Sequence, residues 1–191
     1  MHKILSTFLI ASISGIFLTH PAHAEKADKF KKTEVSGIGG GYDGAKNTTT
    51  LYNVELTRGT LFIRAEKAID IDLPPDNDHP AGRGNTILTG SANNLVFFKQ
   101  KRDGENDLWI EGYAEKVEYD KATEIVRFFS KAKIFYKEQG RVTRVVEGEY
   151  FSYDAPNDFL NIANSVTGKH DANGGRVKLT VEPQKNKKES K

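Results

Sequence analysis

The amino-acid sequence predicts an almost all-β protein built from repeated antiparallel strands and turns. Apolar residues alternate with polar ones at every second position through much of the chain, which is the pattern of half-buried strands. No segment carries a sustained apolar stripe with helical spacing and caps. The aromatic content favours the same class, because 11 Phe and 7 Tyr stand against one Met and one Trp, and Phe and Tyr are enriched in strands.

The first 24 residues have the pattern of a secretory signal peptide. Lys3 provides a positive charge, and a mostly apolar stretch follows from Ile4 to Leu18. This stretch ends in Pro21-Ala22-His23-Ala24, which fits a cleavage site after Ala24. Because the stretch is too short to span a bilayer comfortably, an uncleaved membrane anchor is the less favoured alternative. We therefore expect an exported mature chain.

Charged segments flank the predicted fold on both sides. Residues 25–32 are charged and lack periodicity, which is typical of a flexible linker. Residues 184–191 carry four lysines and one glutamate, which predicts a disordered basic tail, with contact to an anionic surface as the alternative. The sequence thus predicts one β domain over residues 33–183.

Two strand pairs show the alternation most clearly. In the first pair, Arg58-Gly59 forms the turn between two alternating runs. The apolar positions of these runs are Tyr52, Val54 and Leu56, then Leu61, Ile63 and Ala65. In the second pair, one face carries Val126, Phe128, Ala132, Ile134 and Tyr136. The opposite face carries Phe129, Lys131, Lys133 and Phe135.

A strand-turn-strand unit repeats along the chain. A shift of 34 residues aligns Tyr119-Asp120 with Tyr153-Asp154, and a third such pair is Tyr42-Asp43. The same shift aligns Val126 with Leu160, and Phe128 with Ile162. A polar turn follows each Tyr-Asp pair, as expected of an Asp side chain that bonds nearby backbone amides. Since one unit cannot bury its apolar face alone, neighbouring units must stack. A Pro- and Gly-rich loop, Leu73 to Gly84, separates the first unit from the rest.

Composition and motifs exclude most kinds of chemistry. The chain has no cysteine, and its net charge of +2 is far from that of a dedicated nucleic-acid binder. The sequence contains no nucleophile elbow and no paired-histidine spacing, so we predict no catalytic residue, no metal and no cofactor. The glycine run Gly37 to Gly41 resembles a phosphate loop only superficially. The acidic run Asp70, Asp72, Asp76 and Asp78 is typical of a solvated loop, with calcium binding as a minor alternative.

Three segments carry a resemblance to a known family. The first is Asn53 to Gly59 followed by Ile63 to Lys67, and the second is Ile110 to Lys116 followed by Tyr119-Asp120. The third is Val146 to Glu149 followed by Tyr153-Asp154. In the order and spacing of these segments, roughly from Thr33 to Thr180, the chain resembles the LptA (OstA-like) family of periplasmic lipopolysaccharide-transport proteins. It departs from the family pattern in the glycine run and in the length of the Leu73 to Gly84 loop.

The resemblance implies a long, twisted, open-ended β-jellyroll that binds lipopolysaccharide and carries it across the periplasm. It also implies head-to-tail stacking and a bridge between an inner-membrane partner, LptC, and an outer-membrane partner, LptD. An unclosed jellyroll leaves free strand edges at both ends. We expect the joining edges in the segments Thr33 to Tyr42 and Val166 to Val181.

A lipid with several acyl chains needs a long apolar trough, because each buried methylene contributes about 0.8 kcal/mol. From the alternation, we predict a trough lined by Val54, Leu56, Leu61, Ile63, Val96, Phe98, Ile110, Val117, Val126, Phe128, Ile134, Phe151 and Phe159. Three tyrosines at its rim would direct their hydroxyls towards sugars, namely Tyr119, Tyr136 and Tyr153.

Two alternatives remain open from the residues alone. The apolar positions also fit the filled core of a periplasmic β-repeat module that is structural or binds carbohydrate. A carbohydrate-binding protein usually exposes several tryptophans, however, and this chain has only Trp109. Six cations either meet lipid phosphates at the trough mouth or form a solvated face. These six are Lys99, Lys101, Arg102, Lys131, Lys133 and Arg144.

Overall fold

The computed structural model describes residues 28, 30–79, 82–104, 106–154, 157 and 159–183. The predicted signal peptide and the basic tail lie outside these residues. The described residues form twelve strands joined by turns, and no α-helix occurs among them. None of their short helical turns is long and apolar enough to cross a membrane. The strands are β1 (Thr33–Ser36), β2 (Gly39–Asp43), β3 (Thr48–Arg58), β4 (Leu61–Leu73), β5 (Arg83–Thr89), β6 (Val96–Lys101), β7 (Leu108–Ala114), β8 (Lys116–Asp120), β9 (Ile125–Glu138), β10 (Arg141–Asp154), β11 (Phe159–Ala163) and β12 (Lys178–Val181).

All pairings between these strands are antiparallel, and they form one sheet with two halves. The long strands β3, β4, β9 and β10 run through both halves, and the short strands belong to one half each. Half A has the order β2-β3-β4-β5-β8-β9-β10-β11. Half B has the order β1-β3-β4-β6-β7-β9-β10-β12. This architecture confirms the predicted all-β fold of repeated antiparallel strands.

The two halves meet along a fold line where the long strands bend. Asn53 in β3 has φ of 48°, and Ser130 and Lys131 in β9 have φ of 60° and 52°. Opposite these last two residues the β9–β10 register shifts between Gly148 and Tyr150, which is a β-bulge. Bends of this kind let both halves turn an apolar face inward, so that Leu51 and Val54 both face the core although they are three residues apart.

The inner faces consist of apolar rows that cross the strands. In half A, paired positions give the row Leu51, Ala68, Leu88, Val117, Phe128, Phe151 and Ile162. In half B they give the row Leu56, Ile63, Phe98, Gly112, Ile134 and Val146. Beside the fold line the inner residues are small, because the halves approach most closely there. These small residues are Ala65, Ala114, Ala132 and Gly148, and the three alanines are at most 2% exposed.

The repeated Tyr-Asp pairs form the turns that the sequence predicts. Asp43 accepts hydrogen bonds from the backbone amides of Ala45 and Lys46. Asp120 accepts from the amides of Ala122 and Thr123 in the same way. Asp154 accepts from the amide of Asn157. An Asp at the end of each first strand thus holds the reversal into the next strand.

One predicted inward position is wrong. Phe159 pairs with Asp154 at the start of β11 and is 62% exposed. Leu160 and Ile162, which alternate with it, pack against the core instead. Because alternate residues of a strand face opposite sides, Phe159 lies on the outward side of β11.

Candidate functional site

The inner faces of halves A and B enclose the candidate site, which we call the trough. The ring centroids of Phe98 in β6 and Phe128 in β9 lie 5.1 Å apart, so that side chains from the two halves meet across the trough. The buried cluster is continuous from Val54 in β3 to Phe151 in β10. Within the described residues, no backbone pairing joins the halves on the side opposite the fold line. The trough is therefore closed along the fold line and open along its other side, which we call the mouth.

Apart from Phe159, the residues predicted to line the trough all lie on its inner face. Seven of them are buried: Val54, Val96, Val117, Phe128, Ile134, Tyr136 and Phe151. Eight are half-buried: Leu56, Leu61, Ile63, Phe98, Ile110, Tyr119, Val126 and Tyr153. The apolar positions therefore form a core in this structure, and contact with a lipid remains a prediction for each.

Besides the small alanines, five larger inner residues were missed by the sequence reasoning. They are Leu51, Leu88, Val146, Leu160 and Ile162. The 34-residue repeat contained the signal for the last two, since it aligns Leu160 with Val126 and Ile162 with Phe128. The structure pairs Phe128 with Phe151, and Phe151 with Ile162, in one row. Related positions of the repeat thus occupy one inner row of half A.

Towards the mouth the inner rows become polar. The polar residues at the mouth end of half B, here the B lip, are Arg58, Gln100, Arg102, Tyr136 and Arg144, and the same row also contains Leu61 and Ile110. On half A the corresponding A lip contains Thr86, Tyr119 and Tyr153. Burial raises the pKa of Tyr119 and the charge of Glu124 raises it further, whereas the charge of Arg58 acts in the opposite direction. Arg58 thus lies close enough to Tyr119, across the mouth, for its charge to act on the pKa of the Tyr119 hydroxyl.

The B lip also anchors part of the segment predicted to be a flexible linker. Asp28 is only 2% exposed. Its carboxylate accepts hydrogen bonds from the backbone amide and hydroxyl of Thr60, at 2.9 and 2.6 Å, and from Gln100 at 3.1 Å. The chain ahead of β1 is therefore tied at this point to the β3–β4 turn.

The six candidate cations divide between the two sides of the sheet. Lys99 lies over the rings of Phe62 and Trp109 on the outward face of half B. Lys133 pairs with Glu147 on the same face, and Lys131 pairs with Glu115 at the fold line. Lys101, which alternates with Gln100 and Arg102, also faces outward. Of the six, Arg102 and Arg144 face the trough.

The predicted joining segment Thr33 to Tyr42 coincides with the β1–β2 end of the sheet, whereas Val166 to Val181 contains β12 but not β11. Among the described strands, β1 and β2 pair only with β3 at one end, and β11 and β12 pair only with β10 at the other. Both ends carry exposed apolar side chains. At the first end Ile38 is 81% and Tyr42 68% exposed, and at the second Leu179 is 63% and Val181 65% exposed. Free edges of this kind are templates for pairing with another strand.

A known protein family matches most of the described part of this chain. The family described as LptA/(LptD N-terminal domain) LPS transport protein matches residues 34–159, which is more than half of the chain. The chain belongs to this family. The family is one of transport proteins and not of enzymes, in agreement with the sequence prediction. A comparison with curated protein sequences found no match.

A solved structure shows the same fold as this LptA-family chain. It is the crystal structure of LptH from Pseudomonas aeruginosa, described as the LptA homologous periplasmic component of the conserved lipopolysaccharide transport device. The two chains share 16% sequence identity with a TM-score of 0.61. The match covers 82% of this chain and 99% of the LptH chain. It confirms the predicted OstA-like jellyroll.

Of the features behind the remaining sequence alternatives, Trp109 lies outside the trough, whereas Asp70 pairs with Thr86 at the A lip and accepts a hydrogen bond from its hydroxyl at 2.6 Å. Trp109 lies on the outward face of half B, where its indole N–H donates to Asp107. In the acidic run, Lys121 binds Asp70 and Asp72, while His79 and Arg83 bind Asp76. No group of three or more acidic or histidine side chains is arranged to hold a metal ion within the described part of the chain.

Proposed function

We propose that this protein is a periplasmic carrier of lipopolysaccharide that shields the acyl chains of lipid A between halves A and B. The observation that carries the proposal is the continuous apolar inner face, which runs from β3 to β11 in half A and from β3 to β10 in half B and opens along one side. Membership of a lipopolysaccharide-transport family supports the same substrate.

The physical basis is the cost of exposing acyl chains to water. At about 0.8 kcal/mol per methylene, a multi-chain lipid gains most from a long apolar surface with an open side for its headgroup. The inner rows provide such a surface, and the polar residues of the lips lie where a headgroup would emerge. The acyl chains of the bound lipid would then complete the apolar core.

Entry of lipid requires the inner faces to separate. Phe98 and Phe128 contact each other in the structure, so an acyl chain has to replace that contact with its own. Because only side chains join the halves at the mouth, separation breaks no strand pairing among the described residues. A ligand that forms equivalent apolar contacts offsets the lost packing.

We further propose that the free ends of the sheet join this protein to other jellyrolls. Edge-to-edge pairing of one chain's β1–β2 end with another's β11–β12 end is heterologous, and such contacts extend into a filament. An inner-membrane LptC-like protein and an outer-membrane LptD-like protein would occupy the two terminal edges. The result is a continuous trough between the membranes.

Site-specific photo-crosslinking tests the lipid site with matched neighbours. Phe98 and Phe128 face the trough, while the adjacent Phe97 and Phe129 face outward. A photoreactive phenylalanine at the two inner positions should give lipopolysaccharide adducts in cells, and the outer positions should give few. Adducts at the outer positions without inner ones would refute the proposal.

Assembly has a separate test in solution. Light scattering should show a mass that increases with protein concentration. Proline at Val35 in β1, where Val35 pairs with Leu56, or at Leu179 in β12 should reduce that increase by damaging one edge. A strict monomer at high concentration that also fails to bind LptC-like and LptD-like jellyrolls would contradict head-to-tail joining.

A further inference from the structure

Three arginines of the B lip face the trough, although the inner rows away from the mouth are apolar. Arg58 ends β3 opposite Leu61, and Arg144 in β10 pairs with Tyr136. Arg102 follows β6, and its amide bonds to the carbonyl of Leu108. Strands in a sheet are about 4.8 Å apart, so these three positions extend along the mouth over roughly 24 Å.

Two of these guanidinium groups share one aromatic ring. The guanidinium carbon of Arg102 lies 5.3 Å from the ring centroid of Tyr136, and that of Arg144 lies 5.1 Å from it. Both distances lie within the range of cation–π contact. Two cations held against one buried ring are within about 10 Å of each other by these distances. Their mutual repulsion is relieved when an anion lies between them.

Arg58 and Arg144 differ from the outward cations in their partners. The outward lysines Lys131, Lys133 and Lys137 each pair with a glutamate at 2.5–2.6 Å. Among the described residues, no carboxylate lies within ion-pair distance of Arg58 or Arg144, and the buried Nε–H of Arg58 has no acceptor. Asp28, the acid nearest to Gln100 on this lip, is already satisfied by Thr60 and Gln100. Among the described residues, Arg58 and Arg144 therefore present donors without a carboxylate partner.

We propose that Arg102 and Arg144, held by Tyr136, bind a phosphomonoester of the lipid headgroup at the B lip, and that Arg58 provides a second contact along the same lip. This inference rests on the proposed function and names the group that the mouth recognises. A guanidinium donates two parallel hydrogen bonds to phosphate oxygens, which a lysine ammonium cannot do. The acyl chains of the same molecule would extend from this point into the apolar rows.

Binding assays with two lipids test the site in the mature, full-length protein. The probes are bisphosphorylated lipid A and the same lipid A after removal of both phosphates. The R102Q/R144Q variant should bind the phosphorylated lipid about tenfold or more weakly than wild type, since two charge-assisted contacts are lost. Its affinity for the dephosphorylated lipid should be unchanged.

Two further variants make this result specific. R64Q is the matched control, because Arg64 lies on the outward face 5.9 Å from the Phe97 ring, and it should bind both lipids as wild type does. R144K keeps the charge but not the planar fork, and should lose part of the affinity for the phosphorylated lipid. Thermal unfolding shows whether each variant remains folded.

The outcomes separate this inference from the proposed function. Equal binding of both lipids by wild type and R102Q/R144Q would overturn the phosphate site and leave the carrier function intact. Failure of wild type to bind either lipid would overturn both. Inorganic phosphate should compete only weakly with the phosphorylated lipid, and competition as strong as that of lipid A itself would overturn the headgroup as the source of the anion.

Discussion

Phe98 in β6 and Phe128 in β9 contact each other across the trough, with ring centroids 5.1 Å apart and planes inclined by 35°. Phe98 belongs to half B and Phe128 to half A, so this contact closes the space between the two inner faces. The closure consists of side-chain packing, and no backbone hydrogen bond joins the lips in the described part of the chain. The same residues form the core and the candidate lipid surface. Their contacts with each other can therefore be replaced by contacts with acyl chains.

The position of the Phe98 ring depends on Gly112, its partner in β7. A Cβ atom at residue 112 would collide with the Phe98 ring. We expect Gly112→Ala to lower the free energy of unfolding by about 1–3 kcal/mol, since an overpacked core forces the ring from its place. Urea denaturation measures the loss.

A second substitution and a control define the cause of that loss. Gly112→Ala combined with Phe98→Leu should recover part of the stability, because the smaller side chain leaves room for the new methyl group. Gly41→Ala, where a Cβ would meet nothing within 4 Å, should be close to wild type. Strictly additive losses in the double variant would contradict the proposed collision.

Part of the inner row of half A, namely Val117, Phe128 and Phe151, could be predicted from sequence because it depends on local alternation, and the repeat contained the signal for Leu160 and Ile162. The 34-residue shift that joins Val126 to Leu160 also places both on one inner face. Phe159 was predicted to face inward from alternation, whereas the repeat aligns it with Ile125 and not with the inner residue Val126. A period of two fixes which residues share a face once a single member is known.

The fold line and the B lip could not be predicted in the same way. At Asn53 a single residue with positive φ changes which side of β3 faces inward, and alternation carries no record of such a change. Arg58 was assigned to a turn, yet its side chain faces the mouth. The burial of Asp28 depends on Thr60 and Gln100, which are 32 and 72 residues away. Contacts at that distance leave no local pattern.

The contrast between Phe151 and Phe159 can be tested by truncation. Phe151 is 0% exposed and Phe159 is 62% exposed. Phe151→Ala should destabilise the protein by about 3–5 kcal/mol, because it removes a buried ring and leaves a cavity. Phe159→Ala should change the free energy of unfolding by less than about 0.5 kcal/mol. Similar losses for the two variants would contradict the outward placement of Phe159.

Asp28 should make the stability of the protein depend on pH. Burial raises the pKa of Asp28, but hydrogen bonds from Thr60 and Gln100 outweigh it and leave the pKa below its ordinary value of 3.8. A lowered pKa in the folded state stabilises the protein above the unfolded pKa, and the contribution is lost as the pH falls through the folded pKa. Asp28→Asn should therefore cost about 1–3 kcal/mol at pH 7. The difference from wild type should shrink as the pH falls below 3.8.

Urea denaturation of both proteins over a series of pH values measures this difference. Asp78→Asn is the control, because Asp78 is exposed and no hydrogen bond to its carboxylate occurs among the described residues. The control should match wild type at every pH. A cost for Asp28→Asn that stays constant from neutral to acidic pH would show that the ionised carboxylate is not the stabilising group.

The bend of β3 at the fold line should depend on the residue at position 53. Asn53 is exposed and has φ of 48°, a left-handed conformation that Asn tolerates and a β-branched residue does not. Asn53→Val should cost about 1–2 kcal/mol in unfolding free energy, although it removes no buried contact, and Asn53→Gly should be neutral or slightly stabilising. Thr57→Val, an exposed position of the same strand outside the left-handed region, should be neutral and so excludes a general effect of valine in β3. If Asn53→Val is instead as stable as Thr57→Val, β3 does not need a left-handed residue to pass from half A to half B.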